Sequence, residues 1–165
     1  MKKDLIYRQR YLDTVRPFIG KQLIKVFTGQ RRVGKSYLLF QIMQEIRSAD
    51  EHAPIIYINK EDLAFSHLKT AQELADFVLS EKKHGQKNYV FIDEIQEYPH
   101  LLTMLKFLNQ DNKFRYIASG SLLGLTLAKT SSIPMGSIFI KHMYPLDFEE
   151  FLYARGFNSL AIDAL

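Results

Sequence analysis

Cysteine is absent from this chain of 165 residues. Its absence removes disulfides, zinc–thiolate sites and thiol nucleophiles together, and it fits a reducing interior. No apolar run approaches the ~18 residues of a membrane helix. The basic start, MKKDLIYRQRYLD, has no apolar stretch of signal-peptide length behind its lysines. A soluble, cytoplasmic protein with no membrane partner is the expectation. Repeats, low-complexity tracts and interdomain linkers are missing as well. Charge of one sign is in modest excess only, net +4 with a pI near 9.2. That balance favours polyanionic partners, nucleotides included, and allows a nucleic-acid surface without requiring one. The five histidines, His52, His67, His84, His100 and His142, show no i, i+4 pairing and no carboxylate cluster around them. A histidine metal site is not expected.

The length suits one domain, residues 1–165, with a single core. The 47% hydrophobic and 24% charged content are those of an ordinary globular protein. Apolar spacing over residues 5–19 predicts a leading helix that Pro17 bends or ends. Strands are expected over 23–28, 55–58, 89–93, 114–119 and 137–144. Helices are expected over 35–46 and 71–83, from near Pro99, and over 147–153 with Asp147 as cap. Strands alternating with helices imply an α/β fold of three layers, a mainly parallel sheet with helices on both faces. Such sheets bind ligands at the carboxyl ends of their strands, here just after Thr28, Ile58, Ile92 and Ala118.

At the first of these ends, Gly29-Gln30-Arg31-Arg32-Val33-Gly34-Lys35-Ser36 matches G-x-x-x-x-G-K-[ST] in full. The glycines let the backbone curl so that successive N–H groups point at phosphates. The helix opening at Lys35 adds its positive end to the same spot. The Lys35 ammonium reaches the terminal phosphates and the Ser36 hydroxyl can ligate Mg²⁺. Nucleotide binding is therefore assigned to Gly29, Gln30, Arg31, Arg32, Val33, Gly34, Lys35, Ser36 and Tyr37. At the third end, YVFID closes on Asp93 and Glu94. Asp93 fits the metal-holding aspartate and Glu94 a carboxylate that polarises the attacking water. Neither sits cheaply in an apolar core without a metal or a donor. The fourth end carries Ser119-Gly120-Ser121. In P-loop ATPases with an added central strand, a polar residue here touches the γ-phosphate or the lytic water. Ser119 is the first choice for that sensor and Ser121 the second, although Ser and Gly suit a plain turn equally well.

Taken in order, VFTGQRRVGKSYLL, YVFIDEIQEYPH, RYIASGSLLG and YPLDFEEFL resemble the AAA-type ATPases of archaeal and bacterial family fourteen. The resemblance spans residues 5–153. It implies a five-stranded sheet of order 5-1-4-3-2, ATP with Mg²⁺ as ligands, and the roles given above for Lys35, Ser36, Asp93 and Glu94. It also implies a C-terminal region beyond this domain, of helical and nuclease-like character, and a homo-oligomer or that region as partner. The family's Gly-Arg before the fifth strand is Gly136-Ser137 here, which puts efficient hydrolysis in question.

Other signals weigh less. Asn59-Lys60-Glu61-Asp62 fits the N-K-x-D of guanine recognition but precedes the acidic strand end, whereas GTPases place it after; ATP is expected over GTP. Arg31 and Arg32 suit a phosphate or neighbouring-subunit contact and a salt-bridged role equally. Phe148, Phe151 and Leu152 are expected to bury against the domain's own sheet rather than to dock a partner. The expected function is an ATPase domain. The competing classes are an ATP-gated binding switch with little turnover and a nucleic-acid-binding accessory module.

Overall fold

The computed structural model describes residues 6–98, 100–121 and 138–165. Five strands form one sheet: β1 (Ile24–Thr28), β2 (Ile55–Asn59), β3 (Asn88–Asp93), β4 (Phe114–Gly120) and β5 (Ile138–His142). Their order is β2-β3-β4-β1-β5 and every neighbouring pair runs parallel. This is the 5-1-4-3-2 arrangement that the resemblance implies. Parallel pairing needs crossovers, and the helices supply them: α1 (Gln9–Val15) precedes β1, α2 (Lys35–Ala49) links β1 to β2, α3 (Ala71–Ser80) links β2 to β3, and α4 (Leu101–Gln110) links β3 to β4. Two short helices, α5 (Phe148–Ala154) and α6 (Ser159–Asp163), follow β5.

Strand alternation divides the core in two. Ile24, Val26, Val90, Ile92, Tyr116 and Ala118 face Leu74, Val78, Leu105 and Leu108 of α3 and α4. Phe27, Phe91 and Ile117 face the other way, onto Leu12 and Val15 of α1 and Leu38, Leu39 and Ile42 of α2. Interior β1 is buried along its whole length, while outer β2 and β5 are only partly covered. Helices on both faces of a parallel sheet thus leave its carboxyl ends as the open rim.

Several boundaries differ from expectation for local reasons. The leading helix begins at Gln9 and stops at Val15, because Pro17 lacks an N–H and the chain tightens into a 3₁₀ turn over Arg16–Phe18. The second and third helices end at Ala49 and Ser80. Pro99 and Ser137 lie outside the described residues, so the expected helix start and first residue of strand five are not among them. Asp147 does cap α5: its side chain accepts from the N–H of Glu150, and Glu150 reaches back to the N–H of Asp147. Thr70 and Glu73 form the same box at α3. Short α6, capped by Asn158, has too little apolar periodicity to stand out in the sequence.

The expected burial of Phe148 and Phe151 is corrected. Leu152 is buried at 7% exposure, but Phe148 is 71% and Phe151 49% exposed. One helix face meets the domain, and Leu152 occupies it.

Candidate functional site

Glycine is required at position 29 on two counts. Its φ is +143°, and a Cβ there would lie 2.5 Å from the carbonyl oxygen of Met143. The chain after β5 thus presses on the loop's first residue, held by the N–H of Met143 donating to the Thr28 carbonyl at 2.7 Å. Gly34, φ +97°, turns the chain into α2. No side chain caps that helix, so the N–H groups of Lys35, Ser36 and Tyr37 have no intrahelical acceptor. A 15-residue helix therefore aims its uncapped, positive end at the rim of the sheet.

Lys35 lies buried in the loop's curl. Its Nζ donates to the carbonyls of Gly29 at 3.0 Å and Gln30 at 2.7 Å, and to Ser121 Oγ at 3.2 Å. Burial lowers its pKa, Glu94 and Asp93 oppose that shift, and Arg31 adds to it. Ser121 Oγ in turn donates to Glu94 Oε2 at 3.4 Å. One hydroxyl thus stands between the loop lysine and the acidic strand end. Glu94 leaves β3 in the left-handed region, φ +58°, a costly backbone that turns its side chain away from the strand's course. Gln96 Nε2 donates to Glu94 Oε2 at 2.5 Å.

Asp93 is 2% exposed. Tyr57 Oη donates to its Oδ2 at 2.9 Å, and Ser119 Oγ donates to its Oδ1. Ser119 Oγ also accepts from the N–H of Glu94 at 3.4 Å. Lys35, Asp93, Glu94, Ser119 and Ser121 therefore converge on the ends of three adjacent strands. Ser36 is half-buried at the first turn of α2, and Tyr37 is 49% exposed.

The two loop arginines separate. Arg31 pairs with Glu61 at 3.1 Å on the surface, while Arg32, at φ +67°, is exposed with no ion-pair partner among the described residues. The guanine-like segment is absorbed by turn chemistry on the outer strand's end. Asn59 accepts from the N–H of Glu61, Asp62 from that of Ala64, and Lys60 donates to the carbonyls of Phe65 and Leu68.

Three participants escape a sequence reading. Arg8 is 4% exposed and donates to the carbonyl of Val33 at 2.8 Å, to that of Tyr144 at 2.9 Å and to Glu150 Oε1 at 2.8 Å. It ties α1, the glycine loop and α5 together, yet in sequence it is one cation in a basic start. Gln96 was visible only as part of Asp-Glu-Ile-Gln. Tyr57 reads as one residue of the apolar strand Ile55-Ile56-Tyr57-Ile58, and the one available signal was that a tyrosine hydroxyl removed from water needs a partner.

The family model of the AAA domain, family fourteen, matches residues 21–152. The chain belongs to the AAA domain family. The match of this AAA domain covers the glycine loop, the acidic strand end and all five strands. An uncharacterized protein of Haemophilus influenzae is 31% identical over 163 residues, 96% of this chain and 40% of its own length. Another, from Methanocaldococcus jannaschii, is 36% identical over 137 residues, 82% of this chain and 29% of its own. The AAA domain thus spans well under half of the relatives it matches. Among solved structures, that of C. elegans PCH-2 superposes with a TM-score of 0.59 at 15% identity, covering 94% of this chain and 50% of that one. A DNA replication initiation factor gives 0.51 at 16%, covering 94% and 53%. Both likenesses show the P-loop AAA fold. No helix among the described residues is long and apolar enough to cross a membrane.

Proposed function

We propose that this AAA domain, residues 1–165, binds ATP with Mg²⁺ at loop 29–36 and hydrolyses it. The observation that carries the reading is Ser121 Oγ, 3.2 Å from Lys35 Nζ and 3.4 Å from Glu94 Oε2, because it brings the phosphate-binding and water-activating groups within one hydroxyl of each other.

The backbone N–H groups at the start of α2 receive the phosphates, and the Lys35 ammonium exchanges its loop carbonyls for terminal phosphate oxygens. Glu94 orients and deprotonates the attacking water. Of the two sensor candidates, the second choice, Ser121, is preferred here for the γ-phosphate because it meets Lys35 and Glu94, while the first choice, Ser119, donates to Asp93 and keeps it oriented. Among the described residues no three His, Asp or Glu side chains converge to hold a metal by themselves. Mg²⁺ suits such a site, since it commonly takes one or two protein oxygens and completes its shell with water and substrate phosphates. Ser36 and buried Asp93 are the residues that would hold it, and the ion would neutralise charge developing on the phosphate oxygens.

A second reading, an ATP-gated switch with little turnover, draws on the contact between Gln96 and Glu94, which engages the water-activating carboxylate. Single-turnover rates separate the two readings. The primary test is calorimetric titration of wild type and Lys35→Ala with Mg-ATP and Mg-GTP. Wild type should bind ATP several-fold tighter than GTP. Lys35→Ala should lose at least about tenfold in ATP affinity with its circular dichroism unchanged, the effect of deleting a charged hydrogen-bond donor. Undiminished affinity in the folded variant sinks the assignment.

A further inference from the structure

Asp93 is held at both oxygens, and only one of its partners belongs to a motif. Ser119 comes from the neighbouring central strand, whereas Tyr57 comes from outer β2, 36 residues earlier in the chain. The Tyr57 hydroxyl donates at 2.9 Å to Oδ2, an ordinary charge-assisted bond. Its ring packs on Phe40 of α2, with centroids 5.2 Å apart. Phe40 lies one turn after Ser36, on the same side of the helix. An unbroken physical path therefore runs from the helix that carries Ser36, through Phe40 and the Tyr57 ring, to the Asp93 carboxylate.

The Tyr57 hydroxyl donates toward a carboxylate that is 2% exposed. A carboxylate that is almost wholly buried gains two things from such a donor. Its oxygens are hydrogen-bonded where water has little access, and its plane is locked by two hydroxyls from opposite strands. Divalent cations are sensitive to that plane, because Mg²⁺ demands near-octahedral geometry and tolerates little misplacement of its protein oxygens or their attached waters.

We propose that Tyr57 is a positioning residue for the divalent-cation site, holding Asp93 in register with the helix that bears Ser36. The inference rests on the Mg-ATP reading above. Tyr57 acts through Asp93 in this proposal, so its removal should separate metal binding from nucleotide binding.

The experiment is a Mn²⁺ titration followed by electron paramagnetic resonance, with saturating ADP, on wild type and Tyr57→Phe. Nucleotide affinity in excess chelator is measured alongside. Phenylalanine keeps the ring on Phe40 and deletes only the hydroxyl. Tyr57→Phe should bind Mn²⁺ about tenfold more weakly, as expected for one lost hydrogen bond to a charged acceptor, with metal-free nucleotide affinity unchanged. Phe40→Ala, which leaves the hydroxyl and removes its support, should shift Mn²⁺ affinity in the same direction by a smaller factor. It also keeps the inference testable should Tyr57→Phe fold poorly. Unchanged Mn²⁺ affinity in either folded variant overturns the proposal, even with a lowered melting temperature, since the tyrosine would then be packing alone. Wild type that binds no nucleotide, or binds it without Mn²⁺, removes the Mg-ATP reading and this inference with it. Wild type that binds Mn²⁺ with nucleotide while Tyr57→Phe matches it removes the inference only.

Discussion

Glu94 and Lys25 are the two side chains whose individual chemistry is most exposed to test. Glu94 departs from its strand in a left-handed backbone and touches Ser121 and Gln96. Glu94→Gln keeps size and hydrogen bonding but cannot take a proton from water. It should retain Mg-ATP and lose about 10² to 10⁴ in single-turnover rate, the range of a general base. A rate equal to wild type would remove Glu94 from the mechanism. Lys25 sits at the other end of β1, wholly buried, with Nζ donating to the Lys21 carbonyl at 2.6 Å. Burial, helped by Arg115 and Lys87, pushes its pKa down to about 7. The unfolded chain keeps this proton up to about pH 10.4, so between about 7 and 10 the unfolded state binds more protons and stability rises with pH. Below that window the folded protein carries the full cost of a buried charge. Lys25→Met should therefore raise the urea midpoint near pH 6 and change it little near pH 10. An equal change at both pH values would show that the lysine keeps an ordinary pKa in the fold.

At the scale of elements, α1 and α5 meet at the glycine loop. Arg8 precedes α1, Glu150 belongs to α5, and their ion pair at 2.8 Å is almost wholly buried, at 4% and 13% side-chain exposure. The same guanidinium holds the Val33 carbonyl inside the loop. Arg8→Ala strands a carboxylate and two carbonyls, so the expected loss is about 3–5 kcal/mol. For a domain of this size that corresponds to a fall of roughly 10 °C in melting temperature. Arg8→Lys should recover only part, since an ammonium cannot span three acceptors with a planar fork. Chemical denaturation and calorimetry measure both. A loss under about 1 kcal/mol in Arg8→Ala would reduce the pair to an exposed one. Elements were mostly legible beforehand: the five strands, α2 and the Asp147 cap follow from apolar pattern and turn chemistry. The exposure of Phe148 and Phe151 was not, because a seven-residue helix has only one face to bury and periodicity does not say which residues win it.

For the molecule as a whole, the proposed turnover would depend on cations as well as on the acidic strand end. An arginine directed at the γ-phosphate is worth about 10³ to 10⁵ in rate. Arg8 is engaged by three acceptors and Arg31 is paired with Glu61. Ser137, which the family resemblance sets at the arginine position, lies outside the described residues. Arg32 is the loop arginine with no ion-pair partner among the described residues; unless it or a neighbouring copy supplies that charge, this domain should bind ATP well and hydrolyse it slowly. Turnover measured over a range of protein concentrations should rise if a neighbouring copy supplies the cation. Fast turnover independent of concentration would mean that the site is complete within one chain.

The sequence by itself determined the local chemistry. The glycine loop is contiguous, so its spacing alone specifies a backbone curl ending in a helix, and Asp93 and Glu94 are legible because a strand's apolar run ends where they begin. Alternating strands and helices also determined a parallel sheet with an open carboxyl rim. Only the tertiary structure decided which separate segments meet there. Tyr57 reaches Asp93 because β2 lies beside β3. Ser121 stands between Lys35 and Glu94 because β4 is inserted between β1 and β3. Arg8 reaches Glu150 across 142 positions because β5 returns to the far side of β1. Periodicity records which face of an element is apolar. The partner of a polar side chain on another element is set by strand order and register, which arise only when the whole sheet assembles.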